Sequence, residues 1–349
     1  MGEVSIIGLD LAKNVFQAHG AGADGSVIFR RKLSRAQLLK FMAAQSPCVV
    51  AMEACASSHH WSRAIGSLGH EVRLIPPAYV KPFVKRNKND AVDAEAICEA
   101  AQRPSMRYAA IKTEAQQAAG MVFRTRDLLV RQRTQLINAI RGHLTEFGWV
   151  APKGPSHVSV LASLLEEGEE IGASLPEAAR SMFLVMTGQL EQLNEQVALL
   201  DKEIARRARE DEAARRLMTI PGIGPINALT ILAETGDLRR FHHHRQFLKF
   251  CGMDLATVQS GMFRGRSKIS KYGNARLRRT LWLAGQTAVL KKANSFRDKF
   301  ERYIAQDRHN PDLRRKAYTA IAAKMARTIH AVIKSGEPYR PFFEGVSPG

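Results

Sequence analysis

Cysteine is scarce in this chain. Only Cys48, Cys55, Cys98 and Cys251 occur in 349 residues, and no two form a Cys-x-x-C pair. Cys48, Cys55 and Cys98 lie in apolar segments, so the four read as reduced packing residues of a cytoplasmic protein, not as a disulfide framework. Long apolar runs are missing too. No stretch approaches the ~20 apolar residues of a membrane span, and the N-terminus lacks the basic start and apolar run of a signal peptide. Acid is short in one place above all: residues 213–349 hold 26 Lys+Arg against 9 Asp+Glu.

That imbalance is local. Residues 1–152 carry 20 basic against 12 acidic residues, residues 153–212 carry 6 against 12, and the whole chain is at +19. A region as basic as 213–349 repels itself unless an anion neutralises it. Nucleic acid is the anion expected, held largely through phosphates and counterion release. No basic amphipathic helix with a Trp/Phe face stands out, which argues against a membrane surface. Length and charge together divide the chain into three expected regions, 1–152, 153–212 and 213–349.

The first region alternates short apolar runs with helical patterns. Val4 to Asp10 reads as a buried strand ending on an acid. Val15 to His19 and Ser26 to Arg30 read as a hairpin turning through Gly20 to Gly25. Ser34 is an expected N-cap. A strand at Cys48–Glu53, a helix from about Ser57 to Leu68, a strand at Glu71–Ile75 and a helix carrying Asp90 and Asp93 follow. Three strands in a meander, then helix, strand, helix, strand, helix is the order of the ribonuclease-H-like fold.

The acids fall where that order needs them. Asp10 ends the first strand, Glu53 ends the fourth, and Asp90 and Asp93 share one face of a late helix at i, i+3. Strand ends converge on one sheet edge, so four carboxylates distant in sequence can hold two divalent ions about 3.5–4 Å apart, the geometry of in-line phosphoryl chemistry. Magnesium, or manganese, is the ion such oxygen donors take. The run Lys85, Arg86, Lys88 just before Asp90 is a match for a polyanion.

From about Glu114 to Phe147 a long helix is expected, with Leu129, Leu136, Ile140 and Leu144 on one face and Arg124, Arg126, Arg131, Arg133 and Arg141 nearby. It is either a solvated amphipathic helix or an arginine-rich helix lying along a nucleic-acid backbone. Phe183, Met186, Leu190, Leu193, Val197, Leu200 and Ile204 then repeat at spacings of three and four over three heptads. Such a seam packs within the chain as a helical hairpin or against a second copy; a coiled coil that dimerises or spaces two domains is the expectation. Pro221-Gly-Ile-Gly-Pro225 between helical patterns has the form of a helix-hairpin-helix element, with Gly222 and Gly224 letting the backbone approach a phosphate. His242-His-His244 reads as a surface or helix-start run, because consecutive helical residues point about 100° apart and cannot share one ion.

The second chemical stretch is Gln259 to Arg279. Ser260 lies on a loop beside Gly261, followed by Arg264, Arg266, Lys268 and Lys271, then by a helix bearing Arg276, Arg278 and Arg279. Neighbouring cations can polarise a serine hydroxyl and hold the phosphate it attacks. By this criterion Ser260, Ser267 and Ser270 all qualify, and each can equally only bind phosphate.

Taken together, these stretches resemble one family, the DEDD transposases of the IS-one-ten group with its eleven-eleven subgroup and the Piv-type DNA invertases. The resemblance rests on Gly8-Leu-Asp-Leu-Ala-Lys-Asn-Val-Phe16, Met52-Glu-Ala-Cys55 with His59-His-Trp61, and Arg73-Leu-Ile-Pro-Pro77 running to Lys88-Asn-Asp90-Ala-Val-Asp93. In the second half it rests on Ile220-Pro-Gly-Ile-Gly-Pro225, Cys251-Gly-Met253, Gln259-Ser-Gly261 and Ile269-Ser-Lys-Tyr-Gly273. It implies a RuvC-like domain with the four acids at Asp10, Glu53, Asp90 and Asp93, and a serine nucleophile at Ser260. Many relatives have Ser-Ser-Gly where this chain has Gln-Ser-Gly. It further implies a recombinase that moves its own insertion sequence, a noncoding bridge RNA pairing with target and donor DNA, and a covalent phosphoserine link to DNA. A homo-oligomer follows as well, a dimer or dimer of dimers with a site shared between subunits.

Two other readings remain at this level. One is a structure-specific nuclease of the Holliday-junction resolvase type that uses the four acids alone. The other is a non-catalytic architectural binder, disfavoured because acids on a phosphate-binding face are unfavourable without metal.

Overall fold

The computed structural model describes residues 3–84, 90–150, 173–257, 259–260, 262–265, 268–292 and 294–341, without the side chains of Asp90, Ala91, Gln259, Phe263 and Arg264. The chain forms two compact units, residues 1–115 and 116–349. Compactness thus gives two bodies where charge suggested three regions, and the long helix after residue 114 goes with the second.

The first unit is built on a five-stranded sheet of order β3-β2-β1-β4-β5. Its strands are β1 Ile6–Asp10, β2 Val15–Ala21, β3 Val27–Ser34, β4 Val49–Glu53 and β5 Glu71–Ile75. The first three form the expected antiparallel meander, and β4 and β5 run parallel to β1. Helices α1 (Arg35–Ala43), α2 (Ser58–Gly66), α3 (Pro77–Val80) and α4 (Asp90–Ala101) join or follow them. At the start of α1, Gln37 Oε1 accepts from the Ser34 amide at 2.9 Å.

Strand alternation sorts the side chains between two layers. Ile7, Leu9, Val50 and Met52 face one way, into a core with Phe16, Leu38, Met42, Trp61 and Ile65. Ile6 and Ala51 face the other way, into a second core with Ala96, Ile97 and Cys98 of α4. Ile7, Leu9 and Met52 have no exposure, and each contributes about 1.5–3 kcal/mol by burial.

In the second unit, α5 (Glu114–Glu146) and α6 (Glu177–Glu210) lie antiparallel. Arg126 reaches Asp201, Arg133 Nη1 donates to Asn194 at 3.3 Å, and the Phe147 and Phe183 rings stand 6.4 Å apart, so partners descend α6 as they climb α5. Phe183 and Leu190 of the heptad seam are buried with Ile137, Ile140 and Leu144 of α5, and Ile204 packs with Phe123. The buried part of the seam thus packs on a helix of its own chain, the intrachain hairpin that the spacing also allowed.

Beyond it come α7 (Glu212–Met218), α8 (Pro225–Thr235), α9 (His244–Phe250), α10 (Ala275–Leu290), α11 (Ser295–Ile304) and α12 (Pro311–Ser335). Ile321, Met325 and Ile329 of α12 share a core with Leu277, Leu281 and Ala284 of α10 and Phe296 and Phe300 of α11. Two ribbons sit between α9 and α10: β6 (Leu255–Ala256) pairs with β9 (Lys268–Ile269), and β7 (Gln259–Ser260) with β8 (Phe263–Arg264). Among the described residues no helix is long and apolar enough to cross a membrane.

Candidate active site

Asp10 and Glu53 occupy equivalent ends of adjacent parallel strands. Leu9 pairs with Met52, so the next residue on each strand is an acid, across a spacing of about 4.8 Å. By alternation both carboxylates project on the face that carries Ile6 and Ala51, which is the face covered by α4.

Helix α4 is held hard against β1 by an absence of side chain. A Cβ built on Gly8 would stand 2.3 Å from the Ala94 carbonyl oxygen and 2.6 Å from the Cys98 nitrogen. Asp93 is the residue before Ala94, and Asp10 lies two after Gly8. The backbone thus brings α4, with Asp90 at its first position, to the strand that ends in Asp10. The Asp90 side chain and the basic run Lys85, Arg86, Lys88 lie outside the described residues.

Cys55 reports the same convergence. Burial raises its thiol above the ordinary range, and the charges of Glu53 and then Asp10 raise it further. Unlike Cys48, Cys98 and Cys251, it is exposed, which corrects its expected role as a packing residue. It sits where β4 delivers the chain to the rim of the acid site. Glu95, one turn from Ala91 on α4, is engaged with Arg30 Nη2 at 3.2 Å.

As a donor set Asp10 and Glu53 suit a hard divalent cation such as magnesium: they are oxygen ligands on rigid strand ends. No three His, Cys, Asp or Glu side chains among the described residues come together closely enough to hold a metal.

Ser260 stands at the tip of a two-residue hairpin, paired through Phe263 and exposed to solvent. Met262, at the turn, is fully exposed. Ser270 is in a different position: its hydroxyl donates to the Asp254 carboxylate, and its amide donates to the Asp254 carbonyl at 2.8 Å. Ser267, Gly261 and Arg266 lie outside the described residues, as does the side chain of Arg264.

The cations around the hairpin divide by duty. Lys268, Lys271 and Arg279 are exposed, as are Arg124 and Arg131 on α5. Arg276 is not available in the same way. It meets Asp127 of α5 and Glu234 of α8, at 3.4 Å from the latter, while Asn274 Nδ2 holds the other Glu234 oxygen at 2.8 Å. Arg278 Nη1 donates to the carbonyls of Cys251 and Lys271, each at 3.2 Å, and so braces the loop from within. Both were expected on nucleic acid, and their described bonds are structural.

The glycines of the expected hairpin element separate likewise. Gly222 has φ +89°, and a Cβ there would come within 2.2 Å of the Ala284 carbonyl oxygen. Its freedom is spent on seating the turn against α10. Gly224 opens α8 with empty space around its Cβ position. The His run starts α9, as expected: His243 Nδ1 accepts from the Arg245 amide at 3.2 Å.

Comparison with known proteins agrees with both halves. Residues 7–148 match the model of the IS110-type DEDD transposases, and residues 214–301 match the transposase model of the IS116/IS110/IS902 family. A putative transposase, y4pF/y4sB, of Sinorhizobium fredii is 41% identical over 342 residues, covering 96% of this chain and 85% of its own. A probable family 20 transposase of Pseudomonas aeruginosa is 41% identical, covering 97% and 99%. The transposase of insertion sequence element IS1111A of Coxiella burnetii is 36% identical, covering 97% and 92%. Sheet, acids and relatives together define an enzyme that acts on DNA through phosphoryl transfer. The chain belongs to the IS110/IS116/IS902 family of insertion-sequence transposases.

Proposed function

We propose that this transposase is a site-specific recombinase that cuts DNA with Ser260 as nucleophile, assisted by a metal-dependent site of Asp10, Glu53, Asp90 and Asp93. The observation that carries the acid half is the shared face of Asp10 and Glu53 beneath α4. The serine half is supported by exposure: Ser260 is open at a hairpin tip, whereas the Ser270 hydroxyl is occupied by Asp254.

Each group has a task in this reading. The acids hold the ion, which when bound supplies Lewis-acid stabilisation of phosphate charge. Lys268, Lys271 and Arg279 draw the phosphate toward Ser260 and favour ionisation of its hydroxyl. The serine oxygen then bonds to phosphorus as a DNA hydroxyl leaves. The resulting ester conserves the energy of the broken phosphodiester for rejoining.

The basic residues also fit a guide. A bridge RNA that pairs with target and donor DNA relieves the protein of reading bases, leaving it to bind backbone and shape. The homo-oligomer, RuvC-like character and hairpin element named above belong to this same reading.

The test is strand cleavage of labelled donor and target DNA with magnesium and the element's own RNA, comparing wild type with Ser260→Ala and Asp10→Asn. A shifted, protease-sensitive band lost in both variants is expected. Cleavage that survives Ser260→Ala with no shifted band would leave the acid-only nuclease as the reading.

A further inference from the structure

The row of the sheet that holds the two strand-end acids continues beyond them. Asp10 of β1 lies opposite Gln17 of β2, and Gln17 lies opposite Lys32 of β3. With Glu53 on the other flank of Asp10, the row reads Glu53, Asp10, Gln17, Lys32 across four strands.

Alternation decides which way Gln17 points. Its neighbours Phe16 and Ala18 are buried in the core with Ile7 and Leu9. Ala21, on the other face of the same strand, is buried with Ile6, Ala51 and the residues of α4. Gln17 therefore stands on the α4 side of β2, the side of both carboxylates.

Helix α4 is fixed over the neighbouring row, in which Gly8, His19 and Arg30 are opposite one another. Gly8 lies under Ala94, and Arg30 pairs with Glu95 at 3.2 Å. At its far end Ala101 lines a cavity together with Ser5 and Ile6, at the start of β1. The helix thus runs back along β1, with its first turn toward the row of Asp10 and Gln17.

We propose that Gln17 is a positioning residue for DNA cleavage, its side-chain amide donating a hydrogen bond to the Asp10 carboxylate when that carboxylate holds the cation. The inference rests on the acid-site reading above. Directly opposite residues hold their Cβ atoms about 4.5–5.5 Å apart, a gap that the two methylenes of a glutamine let its amide cross. An ionised carboxylate has about four lone-pair sites, and a cation on one side leaves the others to be satisfied. Glu53 has no proton to give. Gln17 does, and it brings no positive charge to compete with the cation, as a lysine at that position would.

The amide is otherwise idle. Gln17 is half-buried, and its side chain has no hydrogen-bond partner among the described residues. A polar group half withdrawn from water and unpaired is unfavourable, and valine or threonine would suit a half-covered strand position better. The carboxylate next to it on the row, that of Asp10, is the acceptor that accounts for a glutamine there. Carboxylates that bind metal are as a rule hydrogen-bonded in turn, and losing such a partner costs about 10–100-fold in metal affinity or activity.

The test is a manganese titration of the full chain, followed by the electron paramagnetic resonance signal of the free ion, for wild type, Gln17→Met and Asp10→Asn. Gln17→Met keeps the reach of the side chain and removes the donor. It is expected to bind manganese about 10–100-fold more weakly with little change in melting temperature, and to need correspondingly more magnesium for half-maximal cleavage. A merely structural role would move the melting temperature and leave the metal requirement alone. Should Gln17→Met melt early, Gln17→Ala carries the comparison. Manganese affinity and magnesium requirement both equal to wild type would overturn the proposal and leave the acids in place. Manganese binding undiminished in Asp10→Asn would overturn the acid-site reading and the proposal together.

Discussion

Gly8 of β1 lies directly beneath Ala94 of α4, so close that a methyl group on Gly8 would stand 2.3 Å from the Ala94 carbonyl oxygen. This contact fixes the helix that bears Asp90 and Asp93 on the strand that ends in Asp10. Gly8→Ala must therefore push α4 outward. The expected cost is about 1–3 kcal/mol of stability from overpacking, with DNA cleavage lost more completely than stability. Thermal melting together with a cleavage assay checks this. Cleavage that declines only as far as the folded fraction would contradict it.

Asp10→Asn and Glu53→Gln remove charge from a shared face without removing volume. Cleavage should fall on the order of 10²-fold or more in each, while the melting temperature moves by no more than a few degrees. A melting temperature several degrees lower would mean that the pair is a structural element.

Arg276 and Arg279 stand on the same helix and were indistinguishable in sequence. Arg276 bridges Asp127 and the largely buried Glu234, so Arg276→Ala should destabilise the second unit by about 1–3 kcal/mol. Arg279→Ala should leave stability within about 0.5 kcal/mol and weaken DNA binding. Denaturant melts paired with binding isotherms separate the two. Equal behaviour would refute the division of duties.

Cys55 offers a chemical probe of the acid cluster. Burial opposes thiolate formation first, and the charges of Glu53 and Asp10 add to it. Since negative neighbours disfavour the thiolate, its reactive form appears only at higher pH than that of a free thiol. Alkylation at pH 8 should therefore be slow, and several-fold faster in Asp10→Asn. Equal rates in the two proteins would place Asp10 away from Cys55.

Much of the first unit was legible because its signals are local. An apolar run that stops on Asp10, a second that stops on Glu53 and a helical pattern opening at Asp90 each announce an element and its end. The partner of the heptad seam was not legible. Phe183 to Ile204 define a face that needs covering, and nothing in the spacing says whether Ile137 and Ile140 of the same chain or a second copy covers it. The duties of Arg276 and Gly222 were hidden for the same reason: Asp127, Glu234 and Ala284 are remote in sequence. From the residues alone Ser260, Ser267 and Ser270 were equivalent; the family resemblance pointed to Ser260, and the bond that occupies the Ser270 hydroxyl, to the Asp254 carboxylate, was legible only in three dimensions.

The most direct test of serine chemistry is the mass of the protein after reaction. Wild type is incubated with DNA, magnesium and the element's RNA, the DNA is digested away, and the tryptic peptides are mapped. A nucleotide-derived phosphate adduct on the peptide containing Ser260, absent when Asp10→Asn is used, is the predicted result. Cut DNA accompanied by no adduct, or by one on Ser267 or Ser270, would contradict the assignment of Ser260 as nucleophile.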